Sequence, residues 1–155
     1  MAEIKDYLLK LDIGSKEFKH EPVFTVEEAD KIKDIPGMHC KNLFLKNRKG
    51  KKFYLVVLPT YKKFSMKDFE TIVGEKIKFA NDEELLNLLG VKSGAVSPFN
   101  LINDSNKKVK VMIDKDVWKA EEKGFHPNVN TATLVIGKEE FERYIESLGN
   151  AFEIL

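Results

Sequence analysis

A chain of 155 residues, 43% of them hydrophobic, can bury a full core without disulfides or metals and fits one domain spanning 1–155. Cys40 is the single cysteine, which excludes an intramolecular disulfide and a cysteine-built metal site, and the three histidines, His20, His39 and His126, lack ligand-like spacing. The net charge of +1 hides an uneven distribution: from Ile35 to Lys67 there is no acid, while Lys41, Lys46, Arg48, Lys49, Lys51, Lys52, Lys62, Lys63 and Lys67 all fall there. A basic flank of this kind draws in a phosphate backbone.

In chain order, Glu3 to Leu11 reads as an amphipathic helix without the apolar core of a signal peptide. No later run approaches the roughly 20 apolar residues of a membrane span, so a cytoplasmic protein without membrane contact is expected. A weak strand at Phe18 to Phe24 precedes a helix at Val26 to Asp34, whose start is marked by Thr25 and Glu28. Lys41 to Lys46 and Lys52 to Leu58 are strands joined as a hairpin through Asn47 to Gly50. Helices follow at Met66 to Val73 and at Asp82 to Leu89, the latter between an Asn81–Glu84 capping pair and Gly90. The strand Lys108 to Ile113 places Val109, Val111 and Ile113 on one face against Lys108, Lys110 and Met112, so it is expected to be half buried. Thr131 to Ile136 is a further strand, Lys138 to Leu148 a helix closed by Gly149, and Ala151 to Leu155 a short terminal strand. Strands joined by short turns and interleaved with helices predict an α/β fold with a mixed or antiparallel sheet and helices packed outside.

Three stretches carry candidate chemistry. The period of two puts Lys41 on the face of Leu43 and Leu45; it is either a partly desolvated ammonium that holds a phosphate or stabilises developing negative charge, or a strand-end lysine that reaches water. Gly94-Ala95-Val96-Ser97-Pro98-Phe99 is either a loop presenting backbone groups to a small ligand or an ordinary connector. His126-Pro127-Asn128-Val129-Asn130-Thr131 gathers hydrogen-bonding groups at a strand entrance, where His126 can donate or accept near neutral pH. The basic hairpin Lys46, Arg48, Lys49, Lys51 and Lys52 is a candidate tRNA contact, the alternative being a solvated turn. No Ser or Cys can be paired with a base from the sequence.

Taken together, Phe24-Thr25-Val26-Glu27-Glu28-Ala29, His39, Lys41-Asn42-Leu43-Phe44-Leu45, Leu89-Gly90-Val91, the Gly94 to Phe99 loop, Asn103-Asp104, His126-Pro127 and Asn130-Thr131-Ala132-Thr133 resemble the YbaK and ProX family, relatives of the editing domain inserted in bacterial prolyl-tRNA synthetases. The resemblance implies a mixed, largely antiparallel, barrel-like sheet flanked by helices, and a deacylase without metal or cofactor. It implies a catalytic role for Lys41 and substrate binding by Asn42, Gly94, Ala95, Val96, Ser97, Pro98, His126, Asn130 and Thr131. Ala95, Val96 and Pro98 are expected to wall a pocket too small for proline.

The loop residues look more like the ProX branch, which implies proline tRNA charged with alanine as substrate. Cysteinyl-tRNA(Pro) deacylation and a non-catalytic tRNA-binding module are the alternatives. Prolyl-tRNA synthetase is a further candidate partner, with a monomer or weak homodimer as the working form. Asn100 departs from the small residue that the family pattern carries after Phe99, which bears on the fine shape of the pocket.

Overall fold

The structure is a computed structural model that describes residues 3–22 and 34–155. In chain order it contains α1 (Ile4–Lys10), β1 (Lys16–Lys19), β2 (Met38–Asn47), β3 (Phe53–Pro59), α2 (Met66–Val73), β4 (Ile77–Phe79), α3 (Asp82–Leu89), β5 (Val109–Ile113), α4 (Lys115–Lys119), β6 (Glu122–Phe125), β7 (Ala132–Gly137), α5 (Lys138–Leu148) and β8 (Phe152–Ile154). Two 3₁₀ turns, Ser93–Ala95 and Pro98–Asn103, occupy the stretch between α3 and β5. The expected helix Val26 to Asp34, its Thr25–Glu28 cap and the end of the first expected strand fall at residues outside the described ones, apart from Asp34.

The eight strands form one mixed sheet in the order β1-β7-β6-β2-β3-β5-β8, with β4 added to β2. The pairs β1–β7, β6–β7, β2–β3 and β2–β4 are antiparallel, whereas β2–β6, β3–β5 and β5–β8 are parallel. Strand β2 is the branch point. One edge pairs with β3 along Cys40 to Lys46, while the other meets β6 at Met38 and His39 and β4 at Leu45 to Asn47.

Alternation along the central strands creates two apolar layers. Phe44, Phe53, Leu55, Val57, Val111 and Ile113 face α1, α3 and α5 through Ile4, Leu8, Leu89, Phe141 and Tyr144, the larger core. Leu45, Tyr54, Val56, Leu58 and Met112 face the other way, against Phe69 of α2. Strand β5 is therefore covered on both faces at Met112 and only partly open at Lys110, more enclosed than its alternating pattern suggests. Full burial of one such large apolar side chain is worth about 1.5–3 kcal/mol, so the two layers dominate stability.

Local signals act where the chain turns. Asn81 and Glu84 form the expected capping box, and Gly90 and Gly149 end their helices with φ of 70° and 79°. In the β2–β3 hairpin the Asn47 Oδ1 accepts from the N–H groups of Lys51 and Lys52 at 3.0 and 3.2 Å. Strands β4 and β6 and helix α4 carry no clear periodic signal because each is only three to five residues long.

Strand β6 also buries a cation. Lys123 is fully buried; its Nζ donates to the carbonyls of Val117 (2.7 Å) and Trp118 (3.1 Å) and lies 4.7 Å from the Phe141 ring centre. Burial brings its pKa down to about 8. Between that value and the unfolded lysine value of about 10.4, the unfolded chain holds a proton that the folded chain has released, so this group's contribution to stability rises with pH. Urea unfolding of the parent and of Lys123→Met at pH 7, 9 and 10 should show the parent gaining on the variant as pH rises, by up to about 3 kcal/mol. A pH-independent difference would show that Lys123 titrates normally.

Candidate active site

The two loops singled out in the sequence meet at one end of the sheet because β6 and β7 run beside the start of β2. A pocket of about 370 Å³, counting its open mouth, is lined by Ile35, His39, Cys40, Asn42, Gly124, Phe125, His126 and Thr133. Cys40 and Asn42 come from one face of β2, Gly124 from β6 and Thr133 from β7. A Cβ on Gly124 would stand 2.8 Å from the Thr133 Cγ2, so only glycine lets β7 place its threonine over this part of β6.

Hydrogen bonding inside the pocket is lopsided. The Asn42 Oδ1 is buried and has no partner among the described residues. The His126 Nδ1 lies 3.0 Å from the carbonyl of Ala132 and must therefore carry the proton, which leaves Nε2 as the lone-pair nitrogen of the neutral ring. Burial lowers the His126 pKa, opposed by the bond to Ala132 and reinforced by nearby His20, whose ring centre is 6.0 Å away. His20 is held between the Glu21 carbonyl (2.8 Å) and the Thr133 hydroxyl (2.9 Å). The site thus presents acceptors, and it suits a ligand or water that donates. Burial pushes the Cys40 thiol up to about 12, so no thiolate nucleophile is available at neutral pH.

Beside this pocket runs a groove of about 1,130 Å³, open to solvent, lined by Leu86, Gly90, Val91, Lys92, Ser93, Gly94, Ala95, Asn128, Val129, Asn130 and Thr131. Two hydrogen bonds fix the Ser97–Pro98 segment that follows one wall. The Ser97 hydroxyl donates to the His126 carbonyl at 2.6 Å, and the Tyr144 hydroxyl donates to the Pro98 carbonyl at 2.7 Å.

The sequence-derived candidates therefore divide. Asn42 and His126 share the pocket; Gly94, Ala95, Asn130 and Thr131 share the groove; Ser97 links the two. Val96 and Pro98 belong to the buried interior and line neither cavity, so Ala95, Val96 and Pro98 do not form one wall. The reason is geometric: Pro98 starts a 3₁₀ turn that carries Phe99 and Leu101 into the core.

Lys41 is half-buried between Cys40 and Asn42, but alternation turns it with Leu43 toward the smaller apolar layer, away from the pocket. Among the described residues no hydrogen bond or ion pair engages its ammonium. Gly124, Thr133 and Cys40 were not nominated from the sequence as site residues. A glycine inside a strand and the shared face of Cys40 and Asn42 were the available signals.

The basic flank is less uniform than its sequence. Lys46 is bound by Glu84 in the α3 cap, Lys52 pairs with Glu75 at 3.7 Å, and Lys62 is held by Asp114 and Asp116 at 3.1 and 2.9 Å. Arg48, Lys49 and Lys51 carry no ion pair among the described residues. With Lys52, Lys51 enters a surface groove that also receives Lys108 and Lys110. No described helix is long and apolar enough to cross a membrane.

Comparison with known proteins identifies the family and the fold. Residues 20–144 match the aminoacyl-tRNA editing domain family. The prolyl-tRNA editing protein ProX of Acetoanaerobium sticklandii is 37% identical over 149 residues, covering 94% of this chain and 90% of that protein. Prolyl-tRNA synthetase associated domain-containing protein 1 of Mus musculus is 31% identical over 155 residues, covering 96% and 91%. A solved structure described as a candidate trans-editing enzyme for prolyl tRNA synthetase has the same fold, with a TM-score of 0.72 over 98% of this chain and 93% of that one at 18% identity. The matched span and the identity to ProX place the chain in the aminoacyl-tRNA editing domain family, as an aminoacyl-tRNA hydrolase.

Proposed function

We propose that this hydrolase acts in trans on proline tRNA mischarged with alanine, as one editing domain spanning 1–155, in the cytoplasm. The observation that carries the reading is the Asn42 Oδ1, buried without a partner among the described residues, beside the His126 ring whose Nε2 is left as an acceptor, in a pocket narrowed by the close approach of Gly124 and Thr133. An aminoacyl ester supplies an ammonium group and needs a water, both of which donate to such acceptors. The ProX relative is named a prolyl-tRNA editing protein, which supports proline tRNA as the carrier. A synthetase separates side chains that differ by a few methylenes by only about 1–3 kcal/mol, so a second, smaller site that excludes the pyrrolidine ring is the effective filter.

In the mechanism proposed here, the Asn42 Oδ1 receives the substrate ammonium and His126 orients the water through Nε2, helped by the free ribose hydroxyl of the terminal nucleotide. The water oxygen attacks the ester carbonyl carbon, the bond from that carbon to the ribose oxygen breaks, and the ribose oxygen takes up the proton. Backbone groups near Gly94 and the Asn130–Thr131 segment hold the terminal nucleoside in the neighbouring groove. No metal or cofactor enters any step. Lys41 binds phosphate at the tRNA end, since its side chain leaves β2 on the face opposite Asn42. Arg48, Lys49, Lys51 and Lys52 meet the acceptor stem, whereas Lys46 is already occupied by Glu84. The protein works as a monomer or weak homodimer, with prolyl-tRNA synthetase as a partner that hands over the mischarged tRNA.

The direct test is loss of ester from proline tRNA charged separately with alanine, cysteine or proline. Alanine should be released fastest and proline spared. Faster release of cysteine would reassign the substrate, and release of none would end the editing reading.

The lowered His126 pKa keeps the ring neutral through neutral pH, and the rate should fall only when acid protonates it. The acid limb of kcat for the parent should therefore lie below the ordinary histidine value of about 6.5. His126→Ala should lose that limb along with most activity. An identical profile in the variant would remove His126 from the chemistry.

Lys41→Ala should weaken tRNA binding, raising KM roughly ten- to a hundredfold with kcat largely kept, the scale of one lost charge-assisted contact. Lys41→Arg should recover part of it. A loss confined to kcat would instead place the ammonium at the reacting carbonyl.

A further inference from the structure

We propose that Asn100 and Asn128 form a latch that positions His126 for hydrolysis; Asn100 acts as a positioning residue that does not touch the substrate. This rests on the reading of His126 given above. Asn100 is fully buried, and both ends of its carboxamide are used. Its Oδ1 accepts from the Ser97 N–H at 2.6 Å, closing the cap of the Pro98–Asn103 turn. Because that donor fixes the oxygen, the amide nitrogen must face away, and it donates to the Asn128 Oδ1 at 2.6 Å across 28 residues of chain.

Asn128 sits at φ 67°, a left-handed conformation that asparagine tolerates better than most residues. It lies two residues beyond His126, which lines the pocket, and two before Asn130, and itself lines the groove. The latch thus complements the Ser97 bond to the His126 carbonyl and the Ala132 bond to the His126 ring, so the segment is held at three successive points. The three bonds are partly buried and anchored on the fully buried Ser97 and Asn100, which limits the access of competing water. A small side chain at position 100 could not span the gap, which gives the departure of Asn100 from the family pattern a physical role.

The test compares Asn128→Gly, which allows the positive φ but deletes the acceptor, with Asn128→Asp, which keeps an acceptor and tolerates the same backbone. Both are assayed on alanyl-tRNA(Pro) for kcat, KM and the acid limb of kcat, with folding checked by thermal melting. Other titratable groups around His126 are His20 beyond β1 and His39 and Cys40 on β2, all unchanged in both variants.

The glycine variant should lose about tenfold or more in kcat with KM held, since a small misplacement of a reacting group is costly. Its acid limb should move up toward the ordinary imidazole value as water reaches the ring, and Asn128→Asp should restore kcat, while its new carboxylate two residues from His126 holds the acid limb up. Asn128→Ser, whose hydroxyl is too short to reach Asn100, repeats the test if the glycine variant does not fold. Parental kcat and acid limb in Asn128→Gly, or equal impairment of the Gly and Asp variants, would overturn the latch. If His126→Ala itself retains parental kcat, the reading of His126 fails instead, so the two failures are distinguishable.

Discussion

The structure depends on the divided edge of β2. Its first residues pair in parallel with β6, and its last residues pair antiparallel with β4, while β3 holds the other edge from Cys40 to Lys46. The parallel bridge is short, Met38 opposite Lys123 and His39 opposite Gly124. It nevertheless joins the β1-β7-β6 group to the rest of the sheet. Cys40 and Asn42 reach His126 and Thr133 only because of that junction. Beneath it, Lys123 ties the end of α4 and the Phe141 ring of α5 to the same strand. The pocket is therefore built on rigid strands, the setting in which a reacting group is held within narrow limits.

Polar groups near the junction follow opposite rules on the two sides of the molecule. At the pocket, hydrogen-bonding capacity is left over: among the described residues the Asn42 amide oxygen has no partner, and the His126 ring keeps Nε2 as an acceptor. An unmet acceptor destabilises the free protein and is repaid when a donor arrives, which is how a site gains selectivity for its ligand. On the basic side, charges that look unopposed in the sequence are met by Glu75, Glu84, Asp114 and Asp116 from later elements. Surface pairs of this kind contribute little stability, yet they decide which lysines are free for phosphate. Among the described residues, Arg48, Lys49 and Lys51 at the tip of the β2–β3 hairpin, at the far end of β2 from the pocket, carry no ion pair. The strand from Asn42 to Asn47 rises about 17 Å before the hairpin turn that carries Arg48 and Lys49, a separation that a tRNA end and its stem can bridge.

Much of the fold was legible in the sequence wherever an element was long enough for its period to repeat. Helices Met66–Val73, Asp82–Leu89 and Lys138–Leu148 stand at the expected residues, as does the Asn81–Glu84 cap, because their signals are local. The hairpin was equally plain from Asn47 and Gly50. Strand β6 was not: four residues, one a buried lysine and one a glycine, show no alternation that marks a strand, yet β6 carries the junction. For the site, the motifs in Lys41 to Leu45, Gly94 to Phe99 and His126 to Thr133 supply residues that line the pocket and the groove.

What the sequence by itself determined is the set of segments and their class of chemistry, since residue type and spacing along the chain carry that information directly. Which side chains act together was decided only by the tertiary structure. Asn42 faces the pocket and Lys41 does not, Ala95 lines the groove while Val96 is buried, and Asn100 reaches a residue 28 positions away. These outcomes depend on strand register and on how the two loops are sewn together by buried hydrogen bonds. A one-residue change of register would turn each side chain to the opposite face.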